Sequence, residues 1–132
     1  KMTEAEVDDV MNKKSGLLGI SGFKDLREVM AAAGFSTPGF AFKKKVSADG
    51  KHRARLAIEI FCYDAARYVG QFAAVMGGAD AVVFTAGIGE RSGFIRKKIM
   101  AMISLPGHPK IMVVPTNEEL MIARETKKIL AR

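Results

Sequence analysis

The chain has 132 residues, 48% of them hydrophobic and 27% charged, which are the proportions of an ordinary globular protein with enough sequence for a sizeable core. Its net charge of +7 suggests a polyanionic partner, but the basic residues are scattered and only two tyrosines and no tryptophan accompany them, so we expect no nucleic-acid partner. No apolar run approaches the roughly 18 residues of a membrane span. The single cysteine, Cys62, excludes an internal disulfide framework and fits a reducing cytoplasm.

The first quarter of the chain predicts two short helices separated by a glycine-rich segment. Thr3 and Glu6 have the spacing of a capping box, so a helix is expected to begin after Thr3. The apolar residues of 17–20 lie between glycines and favour a brief, buried, extended segment. A second helix is predicted over 25–33, with Leu26, Val29 and Met30 facing inward.

The longest predicted element is a helix over 52–76. Its polar stripe is so narrow that we expect it to be buried on most sides, by a sheet, a partner helix or a second subunit. Before it, 34–51 is rich in turn formers and lysine and predicts a surface loop. Cys62 is expected to be a core residue rather than a nucleophile, because no histidine lies near it in sequence. His52 and His108 match no catalytic motif and are expected at the surface.

The segment AVVFTAGIGERSGFIR, residues 81–96, predicts a buried strand, a glycine turn and a helix in succession. Such a junction directs backbone N–H groups and a helix dipole at an anion, usually a phosphate. It is neither a Walker loop, because no Lys-Ser or Lys-Thr follows the second glycine, nor a full dinucleotide fingerprint, because Gly93 falls one place too late. On spacing alone, an ordinary strand-to-helix turn is an equal alternative.

A second strand-to-helix junction follows at Thr116-Asn117-Glu118-Glu119, after an apolar strand predicted over 111–114. The T-x-x-E spacing predicts a capping box with Thr116 as N-cap and Glu119 as its partner. Glu118 is left at the helix N-terminus beyond the end of a strand, where open α/β sheets bind ligands. A carboxylate beside a phosphate loop suits Mg²⁺ with a nucleotide, although Glu118 can equally serve only to complement the helix dipole.

Three stretches in the same order resemble one enzyme family. VFTAGIGERSGFIR resembles the VFTGGIGENS segment of the acetate and propionate kinases, and SGLLGISG…DLRE (15–28) and VVPTNEELMIARET (113–126) match the same family. Together they cover about half of the chain, which is far more specific than a glycine pair. The chain resembles the C-terminal part of an acetate kinase, and because it opens on Lys rather than Met we expect a trimmed or incomplete piece.

The resemblance implies an α/β fold, a ribonuclease-H-like domain of the actin-like and sugar-kinase ATPase superfamily with helices on both faces of a mixed sheet. Residues 1–132 would form a single C-terminal nucleotide-binding domain, without the N-terminal domain. The implied activity of the whole protein is reversible transfer of the ATP γ-phosphoryl group to acetate or propionate, giving acetyl phosphate and ADP, with Mg²⁺ as cofactor. A homodimer formed through the 52–76 helix and a cytoplasmic location are also implied.

The resemblance also assigns residues to the site. Its D-x-R segment and its glycine loop imply nucleotide contacts by Asp25, Leu26, Arg27, Gly87, Ile88, Gly89, Glu90 and Arg91. The first glutamate of TNEE implies that Glu118 binds Mg²⁺. No catalytic residue is expected within this chain, because the family's N-terminal half supplies the acyl pocket and the transition-state residues, so the isolated chain should be inactive.

Several alternatives stay open. Without the resemblance, Asp25 would be a helix cap and Arg27 a solvent-facing side chain. The chain departs from the family at Ala86, where a glycine is usual, and at Arg91, where an asparagine is usual; the arginine can either reach a phosphate or obstruct the pocket. A non-catalytic nucleotide-binding or structural module, or a related kinase with another acceptor, would share these features.

Overall fold

A computed structural model describes residues 1–131 as two compact units, Lys1–Ala65 and the chain from Ala66 onward. Its elements in chain order are α1 (Glu4–Asp9), a π-helical turn (Val10–Lys14), α2 (Gly16–Ser21), α3 (Leu26–Ala32), α4 (Ala48–Met76), β1 (Ala81–Phe84), α5 (Ala86–Arg91), α6 (Gly93–Ala101), β2 (Lys110–Val113) and α7 (Glu118–Leu130). Among the described residues, none of the helices combines the length and apolarity that crossing a bilayer requires.

The start of the first unit confirms one prediction and corrects another. The capping box of α1 is present: Glu6 N–H donates to Thr3 Oγ1 at 3.3 Å, and Thr3 N–H donates to the Glu6 carboxylate at 2.7 Å. The extended segment predicted over 17–20 is wrong, because these residues belong to α2. Gly16 and Gly22 have φ of 58° and 80°, so the glycines serve as helix boundaries rather than as the ends of a strand.

The core of the first unit is formed by α3 and the first half of α4. Asp25 caps α3, and the predicted inward face of that helix is buried. Ala54, Ala57, Ile58 and Cys62 are the buried residues that α4 contributes, which confirms Cys62 as a core residue. Two arginines of α4 bind the ends of the shorter helices: Arg53 Nε donates to Ile20 O at 2.7 Å and Arg55 Nε donates to Ala33 O at 3.1 Å. Both arginines thus satisfy carbonyls at helix C-termini.

Helix α4 begins at Ala48, four residues before the predicted start, and ends before Gly77, whose φ is 76°. Within residues 1–131 the helix is not buried on most sides, so of the covers that the sequence predicted only a second subunit stays open. A stripe of mostly small residues is buried together with Ile58, whereas other large apolar side chains on the same helix are 39–80% exposed. These exposed residues are Leu56, Ile60, Tyr63, Tyr68, Phe72, Val75 and Met76.

The second unit contains a βαβ arrangement in which α5 and α6 connect two parallel strands. β1 pairs with β2 in a register that places Phe84 beside Val113, and Val114 N–H extends the ladder by donating to Phe84 O at 2.9 Å. Ile95 and Ile99 of α6 are buried, as their helical spacing predicted. Both predicted strands exist, but their expected burial is wrong for β2, whose four residues are all exposed in the described chain. The carboxyl ends of both strands meet at one edge, which places the two strand-to-helix junctions side by side.

Candidate functional site

The glycine motif is a short helix rather than an open turn. Residues 86–91 form α5, and neither Gly87 nor Gly89 has a positive φ; the left-handed residue is Ala86, at φ 58°. Gly89 matters for another reason, because a Cβ there would lie 3.3 Å from the carbonyl carbon of Phe84, which is a tight contact with backbone. Gly89 therefore permits close packing of α5 on the end of β1. Ala86, where the family usually has glycine, is the residue whose left-handed backbone favours glycine.

Arg96 of α6 holds the C-terminal end of α5. Its Nη1 atom donates to the carbonyl oxygens of Gly89 at 2.7 Å and Glu90 at 2.8 Å. These carbonyls belong to the last turn of α5 and have no partner within that helix. The half-buried guanidinium thus fixes the short helix against the next one. Sequence reasoning assigned Arg96 no role, because its partners are backbone atoms that no side-chain pattern reveals.

A polar cleft of about 400 Å³ lies between the two strand-to-helix junctions. The first junction contributes Gly87, Glu90 and Arg91, and the second contributes Glu118, so four of the predicted site residues line one space. Its other lining residues are Ala86, Thr116, Asn117 and Glu119. Ile88 and Gly89 belong to the same short helix but lie outside this lining.

Thr116 does not cap α7, so the predicted capping box is wrong. Asn117 is the N-cap, its side-chain oxygen accepting from Leu120 N–H at 3.0 Å, and Glu119 is therefore the second residue of the helix. The Thr116 hydroxyl bonds instead to the other junction, 2.8 Å from Ala86 N and 2.6 Å from Thr85 Oγ1. Asparagine is a better cap than threonine, which leaves the threonine hydroxyl for a partner about thirty residues earlier in sequence.

Glu90 completes this contact between the junctions. One of its carboxylate oxygens accepts from both Thr116 N–H and Thr116 Oγ1–H, each at 2.9 Å. These hydrogen bonds, first that of the backbone N–H and then that of the hydroxyl, lower the pKa of Glu90 below its ordinary value of 4.5, and nearby Arg91 adds a smaller effect. Glu90 is therefore a carboxylate engaged in structure. Sequence reasoning missed Thr85 and Thr116 as partners, although their positions just beyond two parallel strands place them at the same edge.

The exposed carboxylates of Glu118 and Glu119 line the same cleft as Gly87. Among residues 1–131, no group of three or more His, Cys, Asp or Glu residues could hold a metal by itself. Mg²⁺ in nucleotide sites needs only one or two carboxylates, because waters and phosphates supply its other oxygens. The residues of the cleft thus fit a nucleotide-bound Mg²⁺ and do not form an all-protein metal cage.

The predicted D-x-R segment lies in the first unit, at the start of α3. Asp25 caps the helix by accepting from Arg27 N–H at 2.8 Å, and it also pairs with the Arg27 guanidinium, whose hydrogen bonds lower the pKa of Asp25. That guanidinium lies over the ring of Phe40, 5.2 Å from its centroid. Leu26 is only 5% exposed, so its side chain serves the core. The cap role expected from residues alone is therefore present, and Arg27 remains exposed on its other side.

Comparisons with known proteins identify the family. The sequence model described as the Acetokinase family matches residues 1–109. The chain belongs to the acetokinase family. It is 42% identical to the acetate kinase of Carboxydothermus hydrogenoformans and 41% identical to that of Methanosarcina thermophila, in each case over 98% of this chain and 34% of the relative. The acetokinase chain described here thus spans about a third of the length of these curated relatives.

Solved structures of the acetokinase family agree with the fold. A propionate kinase from Francisella tularensis matches 94% of this chain and 34% of its own, with a TM-score of 0.73 and 36% identity. An acetate kinase from Entamoeba histolytica matches 97% of this chain and 37% of its own, with a TM-score of 0.74 and 24% identity, which bears on the fold alone. The α/β fold and the family resemblance predicted from the sequence are confirmed.

Proposed function

We propose that this chain is the C-terminal, nucleotide-binding part of an acetokinase that transfers the γ-phosphoryl group of ATP to acetate or propionate. The observation that carries the proposal is the single cleft lined by Gly87, Glu90, Arg91 and Glu118, which arise from two separate segments of the sequence. The names of the relatives, acetate kinase and propionate kinase, support the reaction class and the choice of acceptor. In the transfer, a carboxylate oxygen forms a bond to the γ-phosphorus as the bond to the ADP oxygen breaks.

Within this proposal, the cleft holds the phosphates of ATP or ADP, and Glu118 is the protein ligand of Mg²⁺. Mg²⁺ supplies neutralisation of phosphate charge when it is bound. The chain's own residues bind and orient the nucleotide: α5 offers the backbone around Gly87, and Arg91 offers a cation at the rim. The D-x-R segment is a separately proposed nucleotide contact: Asp25 offers a carboxylate, and Arg27 offers a planar guanidinium on which a base can stack. Leu26 belongs to the same contact only through its backbone, because its side chain is buried.

The proposal includes a homodimer and a cytoplasmic location. The exposed large side chains of α4, among them Tyr63 at 61% and Phe72 at 59% exposure, support a role for that helix in association, because apolar surface of this kind marks interaction sites. Light scattering on the complete gene product tests the homodimer. The proposal requires the mass of two chains, and the mass of a single chain would contradict it.

The reaction is tested on the complete gene product with ATP, Mg²⁺ and either acetate or propionate. Acyl phosphate is trapped with hydroxylamine, and ADP formation is followed separately. The proposal expects ADP and acyl phosphate in equal amounts, and omission of Mg²⁺ should abolish both. Binding of MgADP without any acyl phosphate from either acid would instead favour a nucleotide-binding module or another acceptor. Absence of both binding and turnover in a folded protein would refute the proposal.

A further inference from the structure

The contact between the two junctions of the cleft is a defined hydrogen-bond network, here called the Thr116 cluster and made of Thr85, Ala86, Glu90 and Thr116. The Thr116 hydroxyl has one proton and two lone pairs. Because Glu90 is a carboxylate, the proton lies toward Glu90 at 2.9 Å. The hydroxyl oxygen therefore accepts from Ala86 N–H at 2.8 Å and from the hydroxyl of Thr85 at 2.6 Å. All of its bonding capacity is used.

The Thr116 cluster joins the parts of the cleft that the proposed function uses. Ala86 and Glu90 stand at the first and last turns of α5, which carries Gly87 and Arg91. Thr116 stands two residues before Glu118, the first residue of α7. Since Thr116 N–H also donates to Glu90, both backbone and side chain of Thr116 are held. The position of the α7 N-terminus relative to α5 is thus set by side-chain hydrogen bonds as well as by pairing of the strands.

We propose that Thr116 and Glu90 are positioning residues, which hold Glu118 at the distance from α5 that a nucleotide-bound Mg²⁺ requires. The inference rests on the proposed function, because it assigns a purpose to the cluster within that site. Neither residue needs to touch the nucleotide. Residues that orient a metal ligand without touching the metal typically contribute about tenfold or more to metal affinity. Thr116 would do so through the backbone that it fixes two residues before Glu118, since its own hydrogen bonds are to the other members of the Thr116 cluster.

The test replaces Thr116 with valine, which keeps the shape and removes the hydroxyl, in the complete gene product. Calorimetry measures ADP binding with and without Mg²⁺. Thr116→Val is expected to weaken MgADP binding about tenfold and to leave Mg²⁺-free ADP binding within about twofold. Thr116→Ser restores the hydroxyl and should restore binding. Thr126→Val, at an exposed position later in α7, controls for the effect of valine on the helix.

A double-mutant cycle with Glu118→Gln separates positioning from general damage. If Thr116 acts through Glu118, Thr116→Val should cause no further loss of MgADP affinity once Glu118 is glutamine. Independent losses that multiply, or equal losses of ADP and MgADP affinity in Thr116→Val, would overturn the inference. Unchanged MgADP binding in Thr116→Val would overturn it as well.

Amide hydrogen exchange gives a readout that does not depend on nucleotide. Thr116→Val should speed exchange of the Ala86 amide and of the first turn of α7, whereas Thr126→Val should leave both unchanged. If the wild-type protein binds no MgADP yet Thr116→Val speeds exchange, the proposed function is refuted, whereas the conclusion that Thr116 fixes the N-terminus of α7 is supported. If exchange is unchanged in Thr116→Val, the positioning role is refuted whatever the protein binds.

Discussion

Ala86 has a backbone conformation that its side chain disfavours, which makes Ala86→Gly the sharpest test of the local structure. A φ of 58° costs an L-amino acid about 1–2 kcal/mol, whereas glycine adopts it readily. Part of this gain is offset, because glycine has a more flexible unfolded backbone and loses about 0.5–1 kcal/mol more conformational entropy on folding than alanine does. Because Ala86 is exposed, little packing is lost. We expect the local segment to gain about 0.5–1 kcal/mol in its free energy of opening.

Hydrogen exchange of the peptide over 81–96 in the complete gene product measures this gain. A change of this size slows exchange about two- to fivefold where opening is at equilibrium. Ala123→Gly is the matched control, because Ala123 is an exposed residue inside α7 without a positive φ. That substitution should speed exchange of its own helix, since glycine weakens an ordinary helical position. If both substitutions speed exchange, Ala86 does not have the left-handed conformation.

Three further predictions concern the proposed site. Glu118→Gln should raise the Mg²⁺ concentration needed for MgADP binding by at least about tenfold, whereas Glu119→Gln should have a smaller effect. Unchanged Mg²⁺ dependence in Glu118→Gln would show that Glu118 is not a ligand. Arg27→Ala should raise the KM for ATP about two- to fivefold through loss of a stacking cation and leave the KM for acetate nearly alone; equal effects on both would indicate a folding defect. Glu90 contributes stability that is fully present above its ordinary pKa of 4.5 and is lost as the pH falls through its lowered folded pKa. Urea denaturation followed by circular dichroism should therefore show a smaller acid-induced loss of stability in Glu90→Gln, and equal losses would contradict the hydrogen bonds to Thr116.

The sequence predicted helices best where local chemistry decides their ends. The capping box at Thr3 and the apolar spacing of α3 both specify structure within a few residues, and both are confirmed. The extended segment predicted over 17–20 failed because its residues are apolar but too few to establish a period. The left-handed glycines on either side, Gly16 and Gly22, are compatible with a strand or with a one-turn helix until the backbone is known.

Burial was predicted less well than secondary structure. The apolar pattern of α4 predicted a helix covered on most sides and that of β2 predicted a buried strand, yet much of their apolar surface is exposed in residues 1–131. Periodicity reports which face of an element is suited to burial, but not which other element covers it. The same limit applies to the site, where the strand-to-helix junctions were predicted but their mutual contacts required the register of β1 and β2.

Thr116 shows why a correct local rule gave the wrong helix start. The T-x-x-E spacing is a genuine capping signal, but Asn117 offers the same helix a stronger cap one residue later. A threonine that is not needed as a cap can bond elsewhere, and parallel pairing brings Glu90 and Ala86 within 3 Å of it. The stronger cap therefore starts the helix one residue later than the T-x-x-E spacing predicts, and Thr116 is left to partners distant in sequence. That choice leaves Glu119 without a capping role and makes Glu118 the first residue of α7, beside the cleft where the proposed Mg²⁺ site requires a carboxylate.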